Sequence, residues 1–203
     1  MGYRYILEKG HPKSIYSLFP TKISTRPRFG QELFMPIRRT QHTRAHRFDG
    51  SNEFLQENKS KIKTFADIGP ANSLGAVSTY ETRLVLEEGA SVYAVDIVKF
   101  NKEKAAQNSV VRSGKLRIDS VKPLLHAISA KPLPFQCDAI RVGNVFGWMS
   151  AEDIVRSINN IWKSLRLNGF LITKHDGIQR IFKKTKSGFI LLRQLDKTLD
   201  SPL

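Results

Sequence analysis

Apolar and polar positions along this chain change rhythm near residue 64. Before that point no period holds for long, and Pro12, Pro20, Pro27 and Pro36 exclude long helices. Ser51 to Ile62 predicts a short helix with Ser51 as its N-cap. From Thr64 onward short apolar runs alternate with helical spacing. Thr64–Ile68 is a buried strand; Leu74, Val77, Leu84 and Val85 then share one helical face, closed at Gly89. Ser91–Asp96 is a second strand, and Asn101–Arg112 a polar helix followed by Gly114. Leu116–Asp119 predicts a weaker third strand and Val121–Ala130 a helix ended by Pro132 and Pro134. Cys137–Val142 is a fourth strand. Ser150-Ala-Glu-Asp153 opens a helix whose apolar face is Ile154, Ile158, Ile161, Trp162 and Leu165. Asn168-Gly169 turns the chain into a fifth strand, Phe170–Thr173, and Ile178–Phe182 with Phe189–Leu195 reads as a hairpin across Gly188.

Strands alternating with helices predict an α/β fold. The expected architecture is a Rossmann-like, mostly parallel seven-stranded sheet with helices on both faces. A C-terminal antiparallel hairpin and an irregular basic N-terminal extension complete it. The division expected is residues 1–60 as a basic cap and 61–203 as the sheet domain.

Charge changes this picture in one respect. The net charge is +15. Residues 1–64 carry 13 Lys/Arg against 5 Asp/Glu, so the positive field is expected to concentrate before the sheet. Such a field attracts polyanions, which makes nucleic acid a candidate partner for the N-terminal region. Tyr3, Tyr5, Tyr16, Phe19, Phe29 and Phe34 are interleaved there and suit packing on the main domain or stacking on bases. No apolar run approaches a membrane span, and no apolar segment follows the basic N-terminus, so no membrane partner and a cytoplasmic location are expected. The single cysteine, Cys137, builds neither a disulfide nor a thiolate cluster. His42 and His46 are four apart without a third ligand, so no metal is expected.

The candidate chemistry sits where the first two strands end. Ligands of such sheets bind at the carboxyl ends of the strands, where strand order reverses. Gly69 and small Ala71 allow backbone to approach a ligand, and Gly75 allows close packing of the helix or of the cofactor. Asp96 lies 21 residues beyond Gly75, placed to accept both hydroxyls of a ribose. A dinucleotide fingerprint needs glycine at 69, 71 and 74, where this chain has Gly, Ala and Leu. Asp67, ending the first strand, would repel a pyrophosphate and attract a cationic amino group. The sign of charge therefore favours S-adenosylmethionine over NAD.

Four segments in this order resemble the class I S-adenosylmethionine-dependent methyltransferases. They are Asp67-Ile-Gly69-Pro-Ala71, then Asp96-Ile97, then Asp138-Ala-Ile-Arg-Val-Gly-Asn144-Val145, then Leu165-Arg-Leu-Asn-Gly169. The resemblance implies S-adenosylmethionine as cofactor and S-adenosylhomocysteine as product. It implies that the backbone at Gly69 and Ala71 faces the methionine part and Asp67 its amino group, with Pro70, Gly75, Ile97 and Val145 also among the cofactor-binding residues. Asp96 would hold the ribose, Asp119 would lie near the adenine amino group, and Asn144 would sit beneath the sulfonium. Asn144 would orient an acceptor, and His175 is a candidate general base at the same edge. Trp148 and Phe146 are candidate walls of an acceptor pocket. Ala71, Ser73 and Asn168 depart from the family's pattern, which leaves open whether catalysis is intact. No Asn-Pro-Pro-aromatic motif follows the fourth strand, so the acceptor stays unnamed, as does the oligomeric state.

Two further functions compete with methyl transfer. One is a catalytically weak or inactive protein of the same fold that binds nucleic acid through its basic N-terminal region. The other is an NAD-dependent oxidoreductase, against which the glycine pattern argues.

Overall fold

Seven strands hydrogen-bond into one sheet in the order β3-β2-β1-β4-β5-β6-β7. They are β1 Thr64–Ile68, β2 Ser91–Asp96, β3 Lys122–Leu125, β4 Cys137–Gly143, β5 Leu165–His175, β6 Ile178–Thr185 and β7 Gly188–Leu195. The computed structural model describes residues 47–70, 76–143, 145–146, 149–175 and 178–195. The segment 1–46, with its aromatics and with His42 and His46, lies outside them.

β1 to β5 run parallel, and β6 and β7 add an antiparallel meander. The expected hairpin is thus found, with both arms longer than the apolar runs suggested. Parallel strands are buried on both faces, which explains the near-continuous apolar runs of β1 and β4. One face packs α1 (Asp49–Glu57) and α2 (Val77–Val85) over Phe65, Val92, Ala139 and Ile172. α3 (Lys102–Ala106) and α4 (Ser109–Arg112) lie on the same side, through Ala105 and Val111. The other face packs α5 (Ala151–Ser164) over Ile68, Val95, Ile140 and Leu171. No helix among the described residues is long and apolar enough to cross a membrane.

α5 follows its sequence closely. Ile158, Ile161 and the adjoining Leu165 are buried. Ser150 Oγ accepts the amide of Asp153 at 3.1 Å and donates to its carboxylate at 2.9 Å. Ser150→Ala is expected to lower stability by about 1 kcal/mol, read as a lower urea midpoint at unchanged slope.

Three local readings are corrected. The expected single helix over 101–112 is two short helices, capped by the side chains of Asn101 and Asn108. The expected strand at Leu116–Asp119 is a bend with a 3-10 turn over Ile118–Ser120. The expected helix from Val121 instead begins with the edge strand β3. Pro123 is the physical reason: it pushes the preceding Lys122 toward extended backbone and is tolerated on an edge strand, which leaves one side unpaired. The expected turn at Asn168-Gly169 is a bulge within β5. Cys137 pairs with Leu165 and Ala139 with Phe170, so the intervening residues loop out, with Asn168 at φ 66.

α1 is part of the core rather than a cover over it. Phe54 and Leu55 are buried, and the Phe54 ring meets Phe170 edge-on at 5.0 Å. α2 differs more. Its buried positions are Ser78, Thr79, Tyr80, Thr82 and Arg83, while Leu84, expected inside, is exposed. A polar helix face is buried here because it meets buried charge.

Candidate functional site

Strand order reverses between β1 and β4, and the carboxyl ends of β1, β2 and β3 flank an open cavity of about 460 Å³. That volume lies within the range of small-ligand sites, about 300–1,000 Å³. Pro70, Ala76, Ala94, Val98, Phe100 and Pro123–Leu125 form mostly apolar walls. Asp96 is the carboxylate in the lining, and Lys99 and Lys102 stand at the same cavity. Asp96 Oδ1 accepts the amide of Val98 at 3.0 Å. Burial pushes the Asp96 carboxyl above the usual carboxylate range; the Val98 and Ile97 amides pull it back, and the negative charge of Asp67 adds to the rise. A half-buried carboxylate beside an apolar wall is suited to accept hydrogen bonds from a diol whose flat base lies against that wall.

Ala76 forms part of the wall at φ 46, a left-handed conformation that a non-glycine residue adopts at a cost of about 1 kcal/mol. Held strain at a ligand cleft is a common companion of function.

Asp67 lies on the same sheet face as Asp96, yet it does not look into the cleft. It is 1% exposed, and its direct cross-strand partner on β4 is Arg141, which is fully buried. Arg141 grips both carboxylate oxygens, with Nε 3.0 Å from Oδ1 and Nη2 on Oδ2. Ser78 Oγ and Thr79 Oγ1 donate to Oδ2 at 3.2 and 2.8 Å. Arg141 also donates to Thr82 Oγ1 at 2.7 Å, to Asn52 Oδ1 at 3.3 Å and to the Ser78 carbonyl at 3.0 Å. The Phe48 ring covers the guanidinium 4.1 Å from its centroid. The expectation that Asp67 meets a cationic amino group, and the repulsion of pyrophosphate built on it, are therefore corrected: its charge is neutralised from within.

The remaining sequence-expected residues divide. Gly69 adopts φ 59, and a Cβ there would overlap Val145 Cγ2, so the turns after β1 and β4 touch. Only glycine fits that close approach. Gly69, Pro70, Asp96, exposed Ile97 and Val145 stand at the same carboxyl edge as the end of β5 at His175. Ala71, Gly75, Asn144 and Trp148 lie outside the described residues, as does the side chain of His175. Phe146 is buried in the core of the α5 face. Asp119 is corrected outright. It precedes β3, at the opposite edge of the sheet, and pairs with Arg117 at 2.8 Å. The strand had been expected one turn too early. Cys137 is buried, and burial raises its thiol to about 12, so it packs as an inert hydrophobe.

Arg141 and Phe48 escaped the sequence reading. The available signal was an arginine inside the apolar run Cys137–Gly143, since a buried strand does not hold a cation without an anion opposite. No group of three or more His, Cys, Asp or Glu side chains able to hold a metal occurs among the described residues.

No protein-family model and no curated protein sequence matches this chain. Solved structures resemble it in chain path at low identity. Coclaurine N-methyltransferase with N-methylheliamine and S-adenosylhomocysteine has a TM-score of 0.47 and 19% identity over 64% of this chain, which spans 36% of that protein. The N-methyltransferase NodS of Bradyrhizobium japonicum WM9, bound to S-adenosylhomocysteine, gives 0.46 and 14% over 68% of this chain and 71% of its own. A putative protein-L-isoaspartate O-methyltransferase of Plasmodium falciparum, with the same ligand, gives 0.46 and 19% over 73% and 68%.

Proposed function

We propose that the cleft binds S-adenosylmethionine and that the protein transfers its methyl group to an acceptor still to be identified. One observation carries this reading. Asp96 ends β2, one strand from the switch point between β1 and β4, in the lining of a mostly apolar cavity large enough for an adenosyl group. Asp96 would accept the ribose hydroxyls. Pro70, Ala76, Val98, Phe100 and Leu124 would enclose the nucleoside, and Gly69 would bring backbone near the methionine part. When bound, the cofactor supplies a methyl group already activated by a sulfonium. The chain's own task is then to hold and align it and to exclude water. Asn144 and His175 are the proposed contacts on the acceptor side, at the ends of β4 and β5.

A second reading rests on the Asp67–Arg141 pair. With Asp67 neutralised, the cofactor's ammonium group lacks that anion, which favours an adenosyl-binding protein of weak or no transfer activity. Calorimetric titration of the full chain with S-adenosylhomocysteine and with NAD tests the proposal. Saturable binding of the first without the second is expected. Heat from NAD alone, or from neither ligand, overturns it. Product formation with S-adenosylmethionine and cell extract separates the two readings.

A further inference from the structure

The edge of the sheet opposite the cleft is a continuous cationic row. Six segments enter or leave strands there: 59–63, 87–91, 115–122, 131–138, 163–166 and 183–188. They hold twelve Lys/Arg against four Asp/Glu. Three of the four acids, Glu87, Asp119 and Asp138, are each already paired with a cation of the same edge.

Hydrogen bonds show that these segments touch in sequence along the edge. Lys122 Nζ donates to Ser91 Oγ at 3.1 Å, and the Ser91 amide donates to the Lys63 carbonyl at 2.8 Å. The Lys63 amide donates to Asp138 Oδ2 at 2.9 Å, and Arg166 Nη1 donates to Asp138 Oδ1 at 2.8 Å. Lys184 Nζ donates to the carbonyls of Trp162 and Leu165, both at 2.6 Å, and lies over the Trp162 ring. From β3 to β6 the row crosses five strand spacings, about 24 Å. Ser60 and Ser187 are exposed among the lysines and add hydroxyl donors.

We infer that this edge is a docking surface for the phosphodiester backbone of a nucleic acid, separate from the cleft. A line of point charges with interleaved hydroxyls fits regularly spaced phosphates and reads no sequence. A bilayer would demand apolar anchors, and among the described residues only Leu84 and Leu167 are large, apolar and exposed at this end. β4, seven residues long, holds the two edges about 20 Å apart, so the docked strand and a ligand of the cleft do not compete.

The test uses the full chain and a fluorescein-labelled RNA of about 20 nucleotides, long enough to span the row. Anisotropy is followed across a salt series, with and without saturating S-adenosylhomocysteine. The variant carries Lys59→Gln, Lys61→Gln, Lys183→Gln and Lys186→Gln. None of these lysines is ion-paired among the described residues, and the one side-chain contact their neutralisation disturbs there is the exposed 3.4 Å hydrogen bond from Lys61 Nζ to Asn58 Oδ1. Expected are a loss of affinity of about tenfold or more, a salt slope shallower by about 3, and no response to the nucleoside. An unchanged slope overturns the proposal, because the RNA would then be held elsewhere on the chain. So does absence of RNA binding by the parent protein, or retention on phosphatidylserine vesicles without retention of RNA. An unfolding midpoint matching the parent's confirms that the variant is folded; should it not be, the pair Lys61→Gln and Lys186→Gln is read instead, with a slope change of about half that size.

Discussion

Arg141→Met is expected to be among the most damaging single changes in the described chain, costing about 3–5 kcal/mol of folding stability. The reasoning starts from the register of β1 and β4, which sets Arg141 directly opposite Asp67. Both side chains are out of water, at 0% and 1% exposure. Methionine fills much of the same space, so the loss is electrostatic rather than a cavity. Asp67 would keep only the Ser78 and Thr79 hydroxyls, and Thr82 and Asn52 would lose a donor. Adding Asp67→Leu is expected to recover part of the loss, since a buried ion pair replaced whole is far less damaging than one broken. Urea unfolding of both single variants and the double variant measures the coupling. If Arg141→Met alone unfolds at the parent midpoint, the pair is not the clamp between β1, β4, α1 and α2 described above.

Asp96→Asn is expected to act in opposite directions on binding and on stability. For binding, a neutral amide replaces the acceptor of charge-assisted hydrogen bonds of about 1.5–3 kcal/mol each, so affinity for S-adenosylhomocysteine falls about 100-fold. For stability, burial holds the Asp96 carboxyl above its ordinary range in the folded protein. The folded state then binds its proton more tightly than the unfolded state, so this group's contribution declines as pH rises from the ordinary carboxylate range through the raised value. Above that window the charged form costs its full amount. The variant is therefore expected to melt at a higher temperature than the parent near neutral pH. The difference should vanish below the ordinary carboxylate range. Thermal unfolding at the two pH extremes, beside calorimetry with the nucleoside, checks both halves. An equal difference at both extremes would mean that charge burial at Asp96 is not its source.

These two carboxylates mark how far residue patterns reach. The place of Asp96 at the cleft was legible because a strand end plus a suitable spacing to the preceding glycines is local information, and β2 formed where its apolar run predicted. Asp67 was equally conspicuous, and its place in β1 was also right, but its role was not. A side chain's role depends on what stands across the sheet, and Arg141 is 74 residues away in the chain. α2 misled for the same reason. Its leucine and two valines suggested an inner face, whereas Ser78, Thr79 and Thr82 turn inward to serve the buried pair. At β3 the missed signal was local, since Pro123 already biased Lys122 toward extended backbone.

Charge behaved similarly. Counting along the chain placed the excess before the sheet, yet segments from six separate places meet at one edge and build a second concentration. What residue order settled alone is the class of architecture: alternating strand and helix signals, with glycine and proline between them, commit the backbone locally through hydrogen bonding and burial. Which carboxylate faces the cleft, which one is spent on an internal clamp, and where the lysines gather were decided by the folded sheet. Those outcomes depend on pairings between distant segments, and the electrostatic energy of a group is a property of its neighbours in space.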